Sequence, residues 1–134
     1  MSQADNGALQ TRLAVVIRSV FSYVSSELCH CHIPLKILFE TCVNDFALIT
    51  DVTEIPESTL ALMHGLKVLA LDCLREKPHS THLGFQQAVD YAKRIGAEMT
   101  YFIHMCHELE HVATEARLPS EIRLGYDGLE LDRL

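Results

Sequence analysis

One hundred and thirty-four residues allow at most one domain with a real core, and an apolar fraction of 49% against 22% charged excludes a disordered class. The net charge of −7 argues against a nucleic-acid partner, and the longest apolar run, Leu13 to Ile17, is far short of the roughly 20 residues of a membrane span. Five irregularly spaced cysteines argue against a secreted disulfide framework, so the expected setting is reducing and cytoplasmic.

Residues 8–28 read as a helix, because Leu9, Leu13, Val16, Val20 and Val24 recur three or four apart. Cys29-His30-Cys31-His32 follows. On an extended chain these side chains alternate in direction, and the spacing is not that of a structural zinc site, so none is expected there. Leu35 to Phe39 is the next strand candidate.

The chain is organised around Asp45 to Asp72. An apolar run, Phe46 to Ile49, stops at Thr50-Asp51, and a second, Val68 to Leu71, stops at Asp72. The segment between them, roughly 56–64, reads as a helix with Pro56 at its start and Gly65 as its stop. This is a βαβ unit with strands buried on both faces, and ligands in such sheets gather beyond the carboxyl ends of the strands. Cys73 to Leu83 is polar and proline-containing, hence a loop leaving that edge. Phe85, Val89, Ala92 and Ile95 share one helical face between Gly84 and Gly96, and a strand from Met99 to Ile103 ends at His104. Glu108 to Arg117 reads as a further helix. Ile122 to Tyr126 and Leu129 to Leu131 flank Asp127-Gly128, a strong hairpin signal.

Three strands thus end in Asp51, Asp72 and His104, and the loop adds His79 and His82. A bridging carboxylate with imidazoles beside it is the ligand set of Zn²⁺ or Mn²⁺ activating water. Each residue has a plainer role open to it as well, the aspartates as caps and the histidines as hydrogen-bonded surface groups. A rival motif, His107-Glu108-Leu109-Glu110-His111, fits the H-E-x-x-H pattern of zinc proteases. That pattern belongs inside a long helix, whereas an extended run precedes His107 directly. His107 and Glu108, with His111, fit better as supporting residues around His104.

The segments ALITDVTEIPESTL, VLALDCLREKPHSTHLGFQQAVDYAKRIGA, TYFIHMCHELEH and LGYDGLEL together resemble the C-terminal half of metallo-β-lactamase-fold hydrolases. The similarity is to the branch that includes the carbon–phosphorus-lyase-associated cyclic phosphodiesterase. The resemblance implies an α/β fold, half of an αββα sandwich, with a mixed sheet, flanking helices and a C-terminal hairpin. It implies residues 1–44 as an N-terminal helix and poorly matching segment, and 45–134 as the half-domain. It also implies metal ligation by Asp51 and His104, and catalysis at His82 against a small phosphoester-like substrate. Asp72 and His79 become supporting residues, and His32 is a further ligand, with His30 its rival.

The H-x-H-x-D-H motif that supplies most ligands for the family's two Zn or Mn ions is absent from this chain. The expectation is therefore a truncated hydrolase of low activity on its own. The alternative is a non-catalytic half-fold or interaction module, whose uncovered apolar face would take a homo-oligomer or a complementing N-terminal half.

Overall fold

In the computed structural model the described residues are 13–14, 39–43 and 45–131. Five strands form one sheet in the order β2(Phe39–Val43), β3(Phe46–Thr50), β4(Val68–Asp72), β5(Met99–Ile103), β6(Ile122–Leu124). From β3 to β6 the strands are parallel, and β2 joins antiparallel at the β3 edge. β1(Leu13–Ala14) and β7(Glu130–Leu131) make a separate two-stranded pair. This is the α/β architecture that the residue pattern predicts, with the mixed sheet and flanking helices that the resemblance implies.

The strands are apolar on both faces because both are covered. Ala47 and Ile49 of β3, Leu69 and Leu71 of β4, Phe102 of β5, and Ile122 and Leu124 of β6 point to one face. There they pack under α1(Glu57–Leu62) and α2(Phe85–Ile95), through Leu60, Phe85, Ala88, Val89, Ala92 and Ile95. The alternate residues Phe46, Val68, Ala70 and Ile103 form a second cluster with Leu48, Tyr101 and Leu131. Those first four are less than a tenth exposed, and Leu48, Tyr101 and Leu131 are partly buried against them.

Five local expectations change. α1 starts one residue late, since Pro56 is extended and serves as the cap, accepting from Thr59 and Leu60 N–H through its carbonyl. The predicted helix from Glu108 begins only at α3(His111–Glu115), because the Glu110 carboxylate accepts from Val112 N–H and Ala113 N–H and caps the turn there. The predicted C-terminal hairpin does not form. Asp127-Gly128 does turn, with Gly128 at φ +87, but β6 pairs with β5 and β7 with β1, so the chain changes sheets. Leu13–Ala14, predicted helical, is strand; the rest of that stretch lies outside the described residues, as do 35–38 of the predicted first strand. The strand in that region is instead the polar FETCV of β2, paired with β3 on the N-terminal side of residue 45.

Candidate metal centre

β3 and β5 lie on either side of β4, and in register Asp72 stands opposite Ile103. The next residue on β5 is His104, and the residue after β3 is Asp51. Both adopt left-handed backbone, φ 63 and φ 55, and they are the only non-glycine residues to do so among those described. Aspartate and histidine tolerate this region better than most residues, yet it still costs about 1 kcal/mol or more at each site. The left-handed turn breaks the pleat at the strand tip, so each side chain crosses the end of β4 instead of following the strand. His104 Nε2 comes within 3.8 Å of Asp51 Oδ1 although their strands are not neighbours.

The loop after β4 brings the third group. It is closed by Leu74 N–H to Leu83 O at 2.9 Å, Phe85 N–H to Arg75 O at 2.8 Å, and a bridge between Arg75 and Gly84. A Cβ on Gly84 would meet the Lys77 and Pro78 backbone at 2.9 Å, so only glycine lets the two limbs of the loop touch. The closure sets His82 Nε2 3.7 Å from Asp51 Oδ1, with its ring 4.7 Å from that of His104. One donor atom each from Asp51, His82 and His104 lies within 4.8 Å of the others, the one such group among the described residues.

Asp72 sits beneath this group, fully buried. Its Oδ2 accepts from Val52 N–H at 3.4 Å, Leu83 N–H at 3.3 Å and His82 Nδ1 at 3.1 Å. Burial pushes its carboxyl above the usual carboxylate range, while the His82 ring and the two amides pull the other way. Because Oδ2 already takes two amide protons, it is the acceptor in the histidine pair, so His82 carries its proton on Nδ1. The Nε2 lone pair then faces Asp51. A histidine held this way by a carboxylate is the usual arrangement of a metal-binding imidazole, so the three donors fit a divalent metal ion. Side-chain exposure falls from 45% at His104 through 32% at Asp51 and 13% at His82 to 0% at Asp72, so the group is open outward and sealed beneath.

The remaining predicted residues fall elsewhere. His79 lies on the same loop, its ring 5.3 Å from His82. His107 and Glu108 are exposed in the turn before α3, and His111 is its first residue, so H-E-x-x-H is split between a turn and a helix start and cannot set two histidines one helical turn apart. His32 and His30 lie outside the described residues. Cys73, next to Asp72, is an inert core thiol, pushed up to about 12 by burial. Sequence reading does not single out Tyr91, whose hydroxyl on α2 accepts from Ile55 N–H at 3.1 Å and ties down the segment that follows Asp51. Its place on the inner side of α2, next to Ala92, was the available signal.

Residues 34–105 match the family described as Beta-lactamase superfamily domain. No relative is found among curated proteins. Among solved structures, "Crystal Structure of a New Diphosphatase from the PhnP Family" is similar at 38% identity and TM-score 0.69, over 71% of this chain. The chain spans 38% of that protein's length. The matched segment holds Asp51, Asp72, His82 and His104, and with them the strand tips and closed loop that form the centre: the chain belongs to the metallo-β-lactamase superfamily.

Proposed function

We propose that the chain carries the C-terminal part of a metal-dependent hydrolase acting on a small phosphoester or phosphoanhydride, with Asp51, His104 and His82 grouped around one divalent ion, zinc or manganese. The observation that carries this reading is the convergence of the three donors within 4.8 Å. The named activity of the similar diphosphatase supports the substrate class.

When bound, the ion would polarise the phosphoryl group and lower the pKa of water at the site. The chain's own residues supply the rest. Asp51 holds negative charge against the cation and within reach of both imidazoles. Asp72 keeps the Nδ1 proton of His82 in place, so Nε2 is the only atom of that ring free to gain or lose a proton. In its imidazolium form, with Nε2 not ligating the ion, His82 thus has a defined atom from which to pass a proton to a departing oxygen. The buried carboxylate would orient this ring and stabilise its charged form without leaving the core.

The test is hydrolysis of bis-(p-nitrophenyl) phosphate with added Mn²⁺ or Zn²⁺. The expected result is metal-dependent turnover that falls at least about 100-fold in His82→Ala. Turnover equal in wild type and His82→Ala would refute the reading. Calorimetric titration with zinc should give at most one ion per chain, weakly bound and lost in His104→Ala.

A further inference from the structure

We infer that His79 is a specificity-determining residue that donates a hydrogen bond to a second anionic group of the substrate, the phosphoryl group adjoining the one under attack. This rests on the phosphoryl-hydrolase reading above and narrows its substrate class to diphosphates and their esters.

The argument comes from a difference in proton placement between two histidines three residues apart. Thr81 N–H points at His79 Nδ1 at 3.3 Å, and the Thr81 hydroxyl lies 3.1 Å from the same atom. A backbone N–H can only donate, so Nδ1 is an acceptor and bears no proton. The neutral ring of His79 therefore carries its proton on Nε2, the reverse of His82 with its Nδ1–H directed to Asp72. His82 offers the site a lone pair, while His79 offers an N–H.

An imidazole in that state has no lone pair left for a cation, in keeping with its place outside the three-donor group. It suits an oxyanion. Nε2 has no hydrogen-bond partner among the described residues, whereas Nδ1 is tied to the loop backbone, so the donor is oriented before any ligand arrives. The ring stands 5.3 Å from that of His82, which in turn stands 4.7 Å from that of His104. In this proposal one phosphoryl group of a diphosphate sits at Asp51, His82 and His104, and the adjoining one meets the N–H of His79, whose ring is 5.3 Å from that of His82. Arg75 steadies this outer loop, its guanidinium donating to the Lys77 and Pro78 carbonyls.

Two measurements test the inference on the full chain. Long-range ¹H–¹⁵N correlation spectra of the imidazoles, without metal, should show His79 protonated on Nε2 and His82 on Nδ1. His79 protonated on Nδ1 would overturn the proposal. Calorimetry with the zinc-loaded chain should then compare pyrophosphate with orthophosphate. His79→Ala should weaken pyrophosphate by about 10-fold, the value of one hydrogen bond to a charged group, and leave orthophosphate within about twofold. His79→Gln, which keeps a donor, should recover part of the loss. Equal losses for both anions, or no loss for pyrophosphate, would overturn it. Should the hydrolase reading fail through turnover that ignores His82→Ala, a selective pyrophosphate loss in His79→Ala would still stand, so the two failures are distinguishable.

Discussion

The two ends of the central strands are built on different principles. At the N-terminal edge the chain is stitched by ordinary backbone bonds: the Asp45 carbonyl accepts from Lys67 and Val68 N–H, Leu66 O from Glu98 N–H, and Lys67 O from Met99 N–H. An exposed ion pair, Lys67 with Asp45 at 2.7 Å, lies over it. Nothing there is strained. At the C-terminal edge two non-glycine residues take left-handed backbone, and a buried carboxylate has one oxygen, Oδ1 of Asp72, with no hydrogen-bond partner among the described residues. Both of these left-handed residues and one of the two unpartnered buried polar atoms among the described residues lie where the donors converge, the other being Thr59 Oγ1 on α1, so stability is given up at the edge that gathers the donors.

Replacing a strand-tip donor by glycine should separate the two properties most sharply. His104→Gly and Asp51→Gly are expected to abolish zinc binding and lower phosphodiester turnover by at least about 100-fold, while raising unfolding free energy by about 1 kcal/mol through relief of the left-handed strain. Zinc calorimetry and urea denaturation check both halves, and a variant that loses stability along with metal would break the comparison. Asp72→Asn comes next. It can put an amide where Oδ2 takes two backbone N–H groups and the His82 proton, so turnover should fall about 10- to 100-fold and stability by about 1–3 kcal/mol.

Gly84→Ala should cost about 1–3 kcal/mol by forcing apart the loop limbs at Lys77 and Pro78, with weaker zinc binding because His82 rides on that loop. Unchanged zinc affinity would show that loop closure does not position His82. Tyr91→Phe removes one acceptor from Ile55 N–H, so a loss of about 1 kcal/mol is expected, with turnover reduced less than in Asp72→Asn. At the opposite edge, Lys67→Ala should leave both melting temperature and zinc binding within measurement error, as an exposed ion pair contributes little. A clear loss of zinc affinity there would mean that the two edges are not independent.

Much of the donor-bearing edge was readable in one dimension because its signals are local. Apolar runs that stop abruptly at Asp51, Asp72 and His104 mark strand ends, and parallel strands linked by helices must align those ends on one side. The long amphipathic α2, between Gly84 and Gly96, is equally plain. The polar strand β2 has no such pattern, since FETCV becomes a strand only by pairing with β3. Asp127-Gly128 makes the turn its chemistry predicts, but a turn does not choose the partner of the strand that follows it, and β7 pairs with β1 instead.

The parallel α/β order, the strand tips and the donor types follow from the linear chain, because they depend on runs, periods and single residue chemistries. Folding in three dimensions turns Asp51 and His104 left-handed, aims the His82 Nδ1–H at Asp72, sets Thr81 N–H against Nδ1 of His79, and brings Tyr91 to Ile55 N–H. Each of these is a contact between segments, or a backbone state imposed by the sheet around it. No spacing along the chain encodes which nitrogen of a ring keeps its proton. That follows from the acceptor or donor that folding sets beside it.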